Sequence, residues 1–164
     1  MRNARNSFYL GLDGTLLDSY EAILAGIEET YRQFSLPYNK KEVRAFILKY
    51  SVQDLLEQVA KERGLDVGLL NQVRAQSLAE KNAQVVLMPG AREVLAWADQ
   101  RGIQQFVYTH KGDNAFTILR DLGLDSYFTE ILTSQSGFAR KPSPEAATYL
   151  ISKYHLKPER TYYI

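Results

Sequence analysis

The chain has 164 residues, 45% of them apolar, which suits one ordinary domain or a core with a modest insertion and excludes a disordered or collagen-like polypeptide. Lys and Arg number 20 against 19 Asp and Glu, and the halves divided at residue 84 carry 11 basic against 11 acidic and then 9 against 8, so neither has the basic excess of a general nucleic-acid binder. The absence of cysteine excludes disulfides, zinc–thiolate sites and thiol nucleophiles, and no run approaches the roughly 20 apolar residues that cross a bilayer, so a cytoplasmic protein without a membrane partner is expected.

Met1 to Asn6 reads as a solvated tail. Ser7 to Gly11 is a short apolar and aromatic run, predicted as a buried strand ending near Leu12, with Asp13-Gly14 supplying turn chemistry. Asp18 and Glu21 have capping-box spacing, and Tyr20, Ile23, Leu24, Ile27, Tyr31 and Phe34 recur on one face of a predicted helix. Further caps at Asn39 with Glu42 and at Ser51 with Asp54, then Gly64 and Asp66 ahead of Leu69, Leu70, Val73 and Leu78, predict helices throughout residues 19 to 84.

The pattern changes at Met88-Pro89-Gly90. A helix is predicted from Ala91 to Arg101, stopped by Gly102, followed by a buried strand at Phe106 to Thr109. Asp113 is placed to cap the next helix, Glu130 to Thr133 to form a strand, and Ser143-Pro144 to open a helix with proline in its first turn. Thr161 to Ile164 reads as one more strand.

Strand and helix therefore alternate around a helical insertion of about 65 residues, which argues for a parallel sheet with helices on its faces. In open sheets of this kind ligands bind beyond the carboxyl ends of the strands. Leu12 to Thr15, Thr109 to Lys111 and Ser134 to Lys141 all follow strands and are expected at that edge.

With Gly11-Leu12-Asp13-Gly14-Thr15 after the first strand, Thr109 at the end of a later one, and Lys141 in Arg140-Lys141-Pro142-Ser143-Pro144, the chain resembles the haloacid dehalogenase-like superfamily. The likeness is to its phosphatase branch with an inserted helical cap, as in phosphoglycolate phosphatase and beta-phosphoglucomutase. It covers almost the whole sequence. The fold it implies is α/β, a Rossmann-like parallel core of residues 1–18 and 86–164 with an all-helical cap over 19–85.

The resemblance implies hydrolysis of a phosphomonoester of a small phosphorylated metabolite. In the family the first aspartate of Asp-x-Asp-Gly-Thr attacks phosphorus, and the second serves as acid and base. Mg2+ is held by the first aspartate, the carbonyl of the second and an acid of a fourth motif. Asp13 falls on the acid/base position and offers its backbone carbonyl to the metal. Thr109 and Lys141 fall on the phosphate-binding positions, with Lys111 close by.

Two departures stand out. Gly11 occupies the nucleophile position and has no oxygen to attack with, and the Gly-Asp motif expected after Thr161 to Ile164 lies beyond the sequence. The expectation is a chain inactive or severely impaired, with Mg2+ binding in doubt and a core truncated before the fourth motif. The alternatives are a non-catalytic phosphate-metabolite or protein binder and a fragment of a longer enzyme. Asp18 reads as a helix cap; Lys111 and Arg140 divide between phosphate contact and solvated loop, and His110 between substrate contact and a hydrogen-bonded hinge. A strand at 161–164 on the sheet edge would promote self-association.

Overall fold

The structure, a computed structural model, describes residues 6–80 and 85–164. Most of the amino-terminal tail and the end of the predicted helical stretch, residues 81–84, lie outside them. The described chain divides into two compact units, one made of the residues up to Asp18 with Val86–Ile164 and the other of Ser19–Val85.

The first unit is built on a parallel sheet of β1 (Ser7–Leu10), β4 (Gln104–Tyr108), β5 (Glu130–Leu132) and β6 (Thr161–Tyr163), in the order β5-β4-β1-β6. Leu10 lies opposite Val107 and Tyr9 opposite Tyr163, which brings the carboxyl ends of β1, β4 and β6 level. A two-residue antiparallel pair, β2 (Leu17–Asp18) with β3 (Val86–Leu87), belongs to the same unit. Such short strands show no periodicity, and the sequence gives no sign of them.

Both faces of the sheet are covered. Tyr9, Phe106, Tyr108 and Leu132 pack with Ala146 and Leu150 of α7 (Glu145–Tyr154). On the other face, Gln105 of β4 donates to the Leu95 carbonyl of α5 (Ala91–Gln100). Arg92 of α5 reaches the Leu122 and Gly123 carbonyls at the end of α6 (Asn114–Asp121), holding the two helices together. At the start of β5, the Glu130 carboxylate accepts from Tyr149 at 3.0 Å, Tyr154 at 2.7 Å and Lys153 at 3.0 Å, which fastens α7 to that strand. Burial raises the Glu130 carboxyl, but these hydrogen bonds outweigh it and hold the group below its ordinary value.

The second unit consists of α1 (Tyr20–Gln33), α2 (Lys40–Lys49), α3 (Val52–Arg63) and α4 (Val67–Glu80). Leu24, Ile27, Tyr31, Val43, Ile47, Leu56 and Leu70 form its core, with Tyr20, Ile23 and Phe34 packed against it; on the fourth helix Leu70 joins this core, whereas Leu69 is exposed. The caps at Asn39 and Ser51 form as expected, each side chain accepting from a backbone amide of the first turn.

Three predicted caps need correction. Asp18 does not open α1: its backbone belongs to β2 opposite Val86, and Ser19 takes the position before the helix. Asp113 precedes α6, but its carboxylate accepts from Thr133 Oγ1 at 2.8 Å instead of a helix amide. At α7 the N-cap is Pro144 and helical residues begin at Glu145, one position later than expected.

Candidate active site

The site is built from loops that leave the carboxyl ends of the strands. After β1 the chain turns tightly, the Leu12 carbonyl accepting from the amides of Thr15, Leu16 and Leu17. Gly14 sits at φ +77°, in the left-handed region that favours glycine. This turn swings Asp13 back along the sheet edge. Gly11 donates its N–H to the Ile164 carbonyl at 2.8 Å, so the pairing with β6 continues through Gly11.

After β4, Thr109 is buried, its hydroxyl accepting from the Lys111 amide at 3.0 Å. The Lys111 carbonyl accepts from Ser134 after β5, joining two of the loops. The Lys111 side chain is only 4% exposed, and its ammonium lies 3.0 Å from Asp13 Oδ1, a carboxylate a quarter exposed. Asp13 and Lys111, distant in sequence, thus form an ion pair at the carboxyl edge of the sheet.

Lys141 reaches the same edge from the loop before α7. Its ammonium donates to the Tyr108 carbonyl at 3.1 Å and contacts the Tyr163 hydroxyl at 3.4 Å, lying 5.5 and 5.6 Å from the centres of those two rings. Leu10 pairs with Val107, so the carboxyl edge that carries Gly11 also carries the Tyr108 carbonyl that holds Lys141. The tyrosines that hold it, Tyr108 and Tyr163, read from sequence only as packing residues; no signal there distinguishes them.

His110 links the two loops. Its Nε2 accepts from the Lys141 amide at 3.1 Å, while Nδ1 faces Arg140 Nη2 at 3.2 Å. Burial, with Arg140 and Lys141 beside the ring, pushes its pKa down to about 4, so the imidazole is neutral near pH 7. Arg140 therefore points to His110, and the histidine ties the loop after β4 to the loop before α7.

The residues present do not fit the family's Mg2+. That ion prefers six oxygen ligands in near-octahedral array. Gly11 brings no carboxylate, Asp13 is paired with an ammonium, and among the described residues no group of three His, Asp or Glu side chains is placed to hold a metal. A cavity of about 590 Å3 lies beside the site, between α7 and β6, lined by Tyr9, Lys141, Ala147, Ile151, Thr161 and Tyr163 among others.

A parallel α/β core presents threonine, lysine and aspartate at its carboxyl edge, where open sheets of this kind bind ligands, with a helical unit inserted after the first strand. The sequence profile of the haloacid dehalogenase-like hydrolases matches residues 11–164, and the chain belongs to that family. Phosphoglycolate phosphatase of Pseudomonas syringae pv. tomato is 25% identical over 154 residues, covering 85% of this chain and 54% of that protein. Pyrophosphatase PpaX of Oceanobacillus iheyensis is 26% identical over 153 residues, covering 92% and 69%. The chain thus spans about half the length of the first and about two thirds of the second. The crystal structure of a haloacid dehalogenase-superfamily hydrolase of subfamily IA from Geobacter sulfurreducens superposes with a TM-score of 0.75 at 22% identity, covering 98% of this chain and 77% of that one, and shares the fold.

Proposed function

We propose that the carboxyl edge of this sheet seats the phosphate of a small phosphorylated metabolite, and that hydrolysis by this chain is absent or severely impaired. Gly11 carries the reading: at the position where relatives attack phosphorus the chain has no side-chain oxygen. Thr109, Lys111 and Lys141 are assigned to the phosphate, Asp13 to the acid/base position, and residues 19–85 to the family's helical cap. The names of the two curated relatives, a phosphoglycolate phosphatase and a pyrophosphatase, support a small phosphorylated ligand. A cytoplasmic location and self-association through β6 belong to the same reading.

The Asp13–Lys111 contact favours the non-catalytic form of this function, because the Asp13 carboxylate is engaged at 3.0 Å by a buried ammonium instead of facing a leaving group alone. With p-nitrophenyl phosphate and Mg2+, the purified chain is expected to release product at the rate of buffer. Mg2+-dependent release that disappears in Asp13→Asn would overturn the reading. In Gly11→Asp the new Cβ would lie 3.0 Å from Thr15 Oγ1, a contact the hydroxyl relieves by a small shift, so that variant is the natural test of regained turnover.

A further inference from the structure

We propose that this site binds a phosphoryl oxyanion without a divalent cation, with the ammonium groups of Lys111 and Lys141 supplying the positive charge that a metal supplies in an active phosphatase. The inference rests on the phosphate seat proposed above and adds how its charge is balanced.

The charge pattern of the loops favours an anion over a cation. Mg2+ at Asp13 would sit against the Lys111 ammonium, 3.0 Å from the same carboxylate, and would gain nothing from Gly11. Lys111, Arg140 and Lys141 stand against Asp13, Asp113 and Glu145; Asp13 is paired with Lys111, Asp113 is held by Thr133 and Glu145 by the Ala139 amide, so the Lys141 ammonium is a cation of the group whose hydrogen-bond partners are a carbonyl and a hydroxyl and not a carboxylate. Neutral His110 adds no charge. In an Mg2+-dependent phosphatase a nucleophilic carboxylate at position 11 would repel the phosphoryl dianion unless the metal screened it; here that repulsion is gone.

Donors are also in place. An ammonium has three N–H groups, and a buried one is strengthened by the low local dielectric. Lys141 is held at the end of β4 by the Tyr108 carbonyl and the Tyr163 hydroxyl, with both rings flanking it. The Thr109 hydroxyl accepts from the Lys111 amide and so keeps its proton to donate. Glycine at position 11 leaves the space beside Thr15 and the Ile164 carbonyl without a side chain of its own. Together these define a preorganised seat for a tetrahedral oxyanion bearing two negative charges.

The test is a calorimetric titration of the full chain with inorganic phosphate, run once in EDTA and once with excess Mg2+. Phosphate should bind in EDTA, with an affinity that Mg2+ leaves within about twofold. Lys141→Met should weaken it by about tenfold or more, the loss expected for one charge-assisted hydrogen bond. Lys111→Met should act in the same direction, with a thermal melt run alongside to establish that it is folded. Gly11→Asp should weaken binding in EDTA and make what remains depend on Mg2+. Heat seen only with Mg2+ would overturn the metal-free inference while leaving the phosphate seat standing. Silence in both buffers would remove the seat itself, and the inference with it.

Discussion

At the scale of single residues, the ion pair between Asp13 and Lys111 decides what the site can do. Removing only the carboxylate leaves a buried ammonium without its counter-charge. For fully buried pairs that costs about 3–5 kcal/mol, and because a quarter of Asp13 is exposed, about 2–3 kcal/mol is the better expectation for Asp13→Asn. Urea denaturation would read this directly, and Asp13→Asn combined with Lys111→Met should recover most of the loss. An unchanged midpoint in the single variant would show that the pair contributes nothing. The placement of Asp13, Thr109 and Lys141 at the carboxyl edge was legible in the sequence because each follows or precedes an element whose end is marked locally. The partner of Asp13 was not, since an ion pair between loops of different strands leaves no mark in local spacing. Lys111 therefore stayed divided between two roles until the fold brought it back to β1.

Between elements, the site depends on how the loop after β4 is held to the loop before α7, and His110 makes that connection through the Lys141 amide. A neutral imidazole can accept at one nitrogen; a protonated ring can accept at neither and would add a third positive charge beside Arg140 and Lys141. The folded pKa of about 4 lies below the unfolded value near 6.5, so the unfolded chain binds the extra proton between those limits. This contribution to stability is full above about pH 6.5 and falls as the pH drops toward 4. His110→Gln keeps an acceptor but does not titrate, so the stability difference between wild type and variant should change across that window and level off outside it. A difference constant from pH 7 to pH 4 would contradict the assignment. The same competition between elements explains the misplaced caps. Asp18 and Asp113 have the chemistry of helix caps, but the β2–β3 ladder claims the backbone of one and Thr133 the side chain of the other. Asn39 and Ser51 cap as read because no strand or loop competes for them.

For the whole molecule, the alternation of strand and helix was enough to give the parallel sheet and its helical faces, because buried strands and amphipathic helices carry strong periodic signals. The consequence for assembly follows from the order of that sheet. β6 stands at its edge, with Tyr162 49% and Tyr163 61% exposed, and the apolar cavity against α7 opens beside it. Unpaired strand edges recruit a second strand, and exposed aromatic side chains strengthen the contact. The pairing surface is short, three residues in β6, so it should give a weak, reversible association and not a permanent dimer. Sedimentation of the wild-type chain should accordingly show an average mass that rises with concentration. Tyr162→Lys places a charge on the edge without touching the residues around Lys141, and should return the chain to monomer while leaving its thermal midpoint nearly unchanged. A wild-type chain that remains monomeric at every concentration would show that the β6 edge is protected in solution, and would remove self-association from the proposed function.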